Sequence, residues 1–173
     1  MTHLVMLDPH DGGMIPSHDN DFEFLVGCWR VRHRRLEKRL AGSDQWQEFG
    51  GSSITRVLLG GAGNIEDNVV ALPTGSYRAA ALRVFDPASR NWAIWWLDGR
   101  APHVLEVPVV GRFEGGVGSF YADDRFEGRP IRVRFRWTET TTASPCWEQA
   151  FSTDAGATWE INWTMRFVRD DAA

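Results

Sequence analysis

Cysteine is scarce in this chain: Cys28 and Cys146 are the only two in 173 residues. Two cysteines make no disulfide framework, and Met1 to Asn20 lacks the charged-then-apolar pattern of an export signal, so the expected compartment is the cytoplasm. No run approaches the ~18 apolar residues of a membrane span, so no membrane partner is expected. Sustained helical periodicity is missing too, which argues against a bundle or a doubly wound fold. The net charge is −4, with acidic and basic residues interspersed and no basic tail or stripe, so nucleic acid is not an expected partner. The densest basic stretch, Arg30-Val31-Arg32-His33-Arg34-Arg35, alternates as the solvent face of a strand does. Neither a Gly-x-Ser-x-Gly nucleophile motif nor a phosphate-binding loop occurs. Gly60-Gly61-Ala62-Gly63 leads into a strand pattern rather than a helix, and so lacks the helix N-terminus that would hold a phosphate.

Aromatic residues are plentiful instead: nine Trp and ten Phe beside only two Tyr. That density suits either a tightly filled core or an aromatic-lined cavity. From residue 29 onward the chain reads as ten short strands, at 29–37, 45–59 (broken near Gly50-Gly51), 64–72, 77–85, 91–97, 109–113, 117–122, 131–138, 146–151 and 159–168. Gly-, Pro- and Asp-rich turns separate them. Residues 1–20 read as a flexible N-terminal arm, and Asp19-Asn20-Asp21 can cap one helical turn over Phe22–Val26. Asp123-Asp124 reads as turn chemistry. Ser152-Thr153-Asp154-Ala155-Gly156-Ala157-Thr158-Trp159 matches the Asp-box of sialidase propellers, a hairpin device whose carboxylate accepts turn amides, and a single copy is structural.

Alternation assigns the faces. In 131–137 and again in 159–167 the odd positions are apolar, while arginines and other polar residues take the even ones. One bare apolar face would leave a sheet unstable; closing the sheet buries that face and removes its edges. The expected fold is therefore all-β, a single antiparallel up-and-down barrel of about ten strands spanning residues 21–170. Asn91-Trp92-Ala93-Ile94-Trp95-Trp96-Leu97 breaks the rule by being apolar on both faces. One of Trp95 and Trp96 must point inward, and Trp95 joins the ligand-binding candidates. The outward ring needs a cover, from the arm or from a second copy in a homodimer.

Inward polar residues are where chemistry would sit. The odd face of the first strand carries Val31, His33 and Arg35. Asn64, Glu66 and Asn68 share a face, though Val70 and Leu72 continue it and leave inside and outside undecided. Tyr77, Ala79, Ala81 and Arg83 share another, with two Ala leaving room for a ligand and Arg83 available to an oxyanion. Gln149 lies between Trp147 and Phe151, and the last strand contributes Trp163 and Met165. His33 and Glu66, facing each other across an apolar cavity, could transfer protons. Otherwise both are held by local hydrogen bonds and only fix strands.

Gly27-Cys28-Trp29 resembles the Gly-x-Trp that opens the first strand of lipocalin-like (calycin) barrels. In that family the Trp closes one barrel end, and a basic side chain from the last strand lies across its ring. Trp163-Thr164-Met165-Arg166-Phe167-Val168-Arg169 supplies a candidate partner. Val84-Phe85-Asp86-Pro87, Trp95-Trp96-Leu97-Asp98-Gly99 and Trp147-Glu148-Gln149-Ala150-Phe151-Ser152 are similar to stretches of uncharacterised bacterial lipocalin-like proteins. The resemblance implies a barrel like those of lipocalins and fatty-acid-binding proteins, with a ligand cavity but no settled activity. Some ten-stranded barrels of this superfamily hold haem through a His. Here His3, His10 and His18 fall in the arm, and His33 and His103 lie off the last strands, so no haem, other cofactor or metal is expected. The leading expectation is a protein that binds a small, largely hydrophobic molecule. The alternatives are a cofactor-free enzyme (isomerase, cyclase or hydro-lyase) using His33 and Glu66, and a filled barrel that works through its outer Trp surface.

Overall fold

The computed structural model describes residues 21–170; the expected arm, with His3, His10 and His18, lies outside them. Ten strands follow one another: β1 (Gly27–Leu36), β2 (Trp46–Leu58), β3 (Gly63–Leu72), β4 (Gly75–Asp86), β5 (Asn91–Asp98), β6 (Val109–Glu114), β7 (Val117–Phe126), β8 (Arg129–Thr138), β9 (Cys146–Ser152) and β10 (Glu160–Arg169). Each pairs antiparallel with the next, and β1 pairs with β10, so the sheet closes into an up-and-down barrel. The outer faces carry Arg30, Arg32, Arg34, Arg132 and Arg166, all exposed, the reverse of the apolar band of a membrane barrel. No helix among the described residues is long and apolar enough to cross a membrane.

One end is plugged. A single 3-10 turn, Glu23–Leu25, precedes β1 and delivers Phe22 into the barrel. The Phe22 ring meets Trp92 and Phe113 edge-on, each at 5.0 Å, and stacks against Phe120 at 5.8 Å. Trp29 lies alongside, donating its indole N–H to the Leu25 carbonyl at 2.7 Å. The partner across its ring is Arg169, whose guanidinium carbon is 3.9 Å from the ring centre. Arg169 also donates to the carbonyls of Val26 (2.5 Å) and Phe24 (3.0 Å). Gly27 is required by this arrangement: its φ is +118°, and the Arg169 guanidinium occupies the space a Cβ would need.

Three details depart from the strict alternation and boundaries expected. β2 is continuous through Gly50-Gly51, and at Gly51 the missing side chain makes room for the His33 ring, whose Nε2 would be 2.7 Å from a Cβ. Asp123-Asp124 is not a turn: β7 runs on to Phe126, and Glu127-Gly128 makes the turn. In β10 a bulge between Ile161 and Trp163 shifts the register, so Ile161 faces out and Asn162 is buried. The Asp-box is structural as expected. Asp154 accepts from the Thr158 amide (2.9 Å) and hydroxyl (2.6 Å), and these bonds, with one to Ser152, hold its carboxyl down to about 2.

The opposite end is open. β5 and β6 share only the pairs Trp92↔Gly111, Ala93↔Val110 and Ile94↔Val109. Beyond Ile94 the two strands part, and residues 99–108 bridge the gap as a rim loop without regular structure. Val104, Leu105 and Val107 of that loop are exposed.

Candidate ligand-binding site

A cavity of about 530 Å³ fills the open half of the barrel. Its walls are Trp96, Phe135, Trp147, Trp163 and Met165. Its rim carries Arg35, Arg39, Tyr77, Arg100 and Arg125, the carboxylates of Asp98, Glu106 and Asp124, and the apolar residues of the 104–107 loop segment. Tyr77, Gln149, Trp163 and Met165, all expected as ligand contacts, are brought together here. Gln149 is oriented by donating to Asn162 Oδ1 at 2.9 Å, a partner that the bulge turns inward. Trp95 is a correction. Even positions of β5 face inward, so Trp96 lines the cavity, 6.0 Å edge-on from Trp163, while Trp95 takes the outer face. There it is half-buried.

Below this chamber lies a second, much smaller cavity of about 20 Å³. Trp96, Phe135, Trp147 and Met165 line both and form the partition between them. The undecided face of β3 is resolved here: Asn64, Glu66 and Asn68 point inward. Glu66 is ion-paired with Arg83, and each side chain is only 4% exposed. Arg83 also donates to Asn64 Oδ1 at 3.0 Å, and Asn68 Nδ2 donates to the Glu66 carbonyl at 3.4 Å. The Arg83 guanidinium lies against both the Phe22 and Trp137 rings, at 5.2 and 5.7 Å. An arginine so enclosed and already neutralised is not the free oxyanion receptor expected from sequence. Arg83 Nε, Trp137 Nε1, Ser53 Oγ and Thr55 Oγ1 are buried nearby without a protein partner. The small cavity has room for about one water, the usual means by which such atoms are satisfied.

His33 lines neither chamber. Its ring stacks on Phe49 (4.9 Å, 12°), and Nδ1 accepts the Trp163 indole N–H at 3.2 Å, which places the neutral ring's proton on Nε2. Burial, and then the charge of Arg35, lower its pKa to about 4. His33 and Glu66 are thus engaged by different partners, and no hydrogen bond joins them. The geometry assembles no acid–base pair from these two. Among the described residues no three His, Cys, Asp or Glu side chains converge on a common metal position.

Arg35, Arg39, Trp96 and Trp147 were not among the expected site residues. Arg35 was signalled by the inward phase of β1, one step beyond His33. Arg39 sits in the turn after β1, where alternation carries no information.

Fold and cavity together define a ten-stranded up-and-down β-barrel, plugged at one end and hollow at the other. No family model matches the chain, and no curated protein matches it either.

Proposed function

We propose that this barrel binds a small, largely hydrophobic molecule in its open-end cavity, as a lipocalin-like cytoplasmic binding protein. The observation that carries the reading is the 530 Å³ chamber walled by Trp96, Phe135, Trp147, Trp163 and Met165. That volume lies within the roughly 300–1,000 Å³ usual for small-molecule sites, and the apolar inner wall beneath a charged rim can take a hydrophobic body. The lipocalin-like assignment is supported by Gly27, Trp29 and Arg169 acting as one unit at the plugged end. The two cysteines, unpaired thiols, fit a reducing compartment.

The test is titration with N-phenylnaphthylamine, a neutral apolar dye, following dye emission and quenching of the wall tryptophans. Saturable binding at one site per chain, weakened by Met165→Trp, which fills the chamber, supports the reading. Failure of the folded protein to bind, or binding indifferent to that filling, overturns it.

A further inference from the structure

Four arginines reach the mouth, and they are not equivalent. Arg100 is tied to Asp98 at 2.6 Å and lies over the Tyr77 ring at 3.8 Å. Arg125 donates to the Gly128 carbonyl at 2.9 Å and is exposed. Arg35 and Arg39 differ from both: each is half-buried, and among the described residues neither has a carboxylate within ion-pairing distance. Their neighbours are aromatic faces instead. Arg35 stands 5.3 Å from the Trp163 ring centre and 5.4 Å from that of Phe49; Arg39 stands 4.6 Å from Phe126 and 5.8 Å from Phe151. Ring faces attract a guanidinium but do not neutralise it.

The two cations also feel each other. Burial, and then the charge of Arg35, hold the Arg39 pKa below its ordinary value. Carboxylates of Glu106 and Glu127 act on Arg39 only from beyond contact, and Glu106 is itself pushed upward by burial, then by Asp124 and Asp98. The Tyr77 hydroxyl stands beside Arg35 and supplies a further donor. Two partly desolvated guanidiniums that repel, lining one cavity with the Tyr77 hydroxyl, present forked donors shaped for the paired oxygens of an oxyanion.

We propose that Arg35, Arg39 and Tyr77 form an oxyanion-binding subsite at the cavity mouth, and that the ligand is a hydrophobic organic anion. Its carboxylate, sulfonate or phosphate sits at the rim, and its flat apolar body lies against Trp96, Trp147 and Trp163. The inference rests on the cavity-binding reading above and deepens it by giving the ligand a charge and an orientation.

Anilinonaphthalene sulfonate and N-phenylnaphthylamine share one aromatic skeleton and differ by the sulfonate, so the ratio of their dissociation constants isolates the subsite. The full chain should bind the sulfonate at least about tenfold more tightly, as charge-assisted hydrogen bonds predict. Arg35→Gln with Arg39→Gln should collapse that ratio toward one, and Arg35→Lys with Arg39→Lys should restore part of it. Equal affinity of the unaltered chain for both dyes, or a preference that survives the double Gln variant, overturns the proposal while leaving the cavity-binding reading intact. Failure to bind either dye overturns both. Should the double variant fail to fold, Arg39→Gln alone carries the test, because Arg39 lies outside the strand ladder; an unchanged ratio there overturns the proposal.

Discussion

Trp163 donates its indole N–H to Nδ1 of His33 across the seam where β10 meets β1. This bond needs a neutral imidazole, and the histidine is held at about 4 against 6.5 for the free side chain. Between those values the unfolded chain binds more protons than the folded one. The stability due to neutral His33 is therefore complete above about 6.5 and falls as pH drops toward 4. The gap corresponds to about 3 kcal/mol. Urea unfolding at about pH 7 and about pH 4.5 should give a markedly shallower pH dependence for His33→Asn, which keeps an acceptor but cannot charge. Identical slopes for the two proteins would remove His33 as the cause.

Arg169 combines a stacking contact on Trp29 with two backbone carbonyls left open by the turn before β1. Replacing it by Met keeps the stem and loses both functions, at an expected cost of about 1–3 kcal/mol in denaturant unfolding. Arg169→Lys should recover part of this. Gly27→Ala should be at least as harmful, because it meets both the positive φ and the guanidinium. A melting temperature unchanged by Arg169→Met would show that the plug holds without its clamp.

Glu66 and Arg83 form a buried pair, so the two single deletions should be costly and the double one mild. Glu66→Leu strands a buried guanidinium against Phe22 and Trp137, with an expected loss of about 3–5 kcal/mol. Glu66→Leu with Arg83→Met should lose clearly less than the sum of the two singles in a double-mutant cycle. Strict additivity would mean that each carboxylate and guanidinium acts through other neighbours.

Adjacent tryptophans on β5 should behave oppositely. Trp96→Ala opens the cavity wall and the partition below it, and should weaken N-phenylnaphthylamine binding by about tenfold, the loss of one large aromatic contact surface. Trp95→Ala, on the outer face, should leave dye binding within about twofold. Fluorescence titration of both variants decides it, and equal losses would mean that the wall is assigned to the wrong ring.

The barrel was legible in the sequence because period-two alternation in 131–137 and the Gly-x-Trp signature each have a direct physical cause. Where side-chain chemistry and face disagree, that legibility ends. β3 buries Asn64, Glu66 and Asn68 because Arg83 on the neighbouring strand answers them, and pairing of that kind leaves no mark on either strand read alone. Ile161 looked inward by phase, and a single extra residue reversed it. The double Trp offered no phase at all. Arg39 reaches the mouth from a turn, so only tertiary structure could bring it beside Arg35. What the sequence could name was a wall; who stands at the entrance depended on how the ends of strands converge.

The seam between β1 and β10 also constrains how the molecule comes into being. Its first and last strands are hydrogen-bond neighbours in seven register pairs, from Trp29↔Arg169 to Arg35↔Trp163. On the ribosome, the growing chain therefore carries an unclosed sheet with two raw edges until residue 169 has left the exit tunnel. Every earlier nascent length lacks the strand that supplies Arg169 to the plug and Trp163 to His33. Barrel closure therefore waits for β10, and a chain truncated before that strand would keep both sheet edges exposed and prone to pairing with other chains.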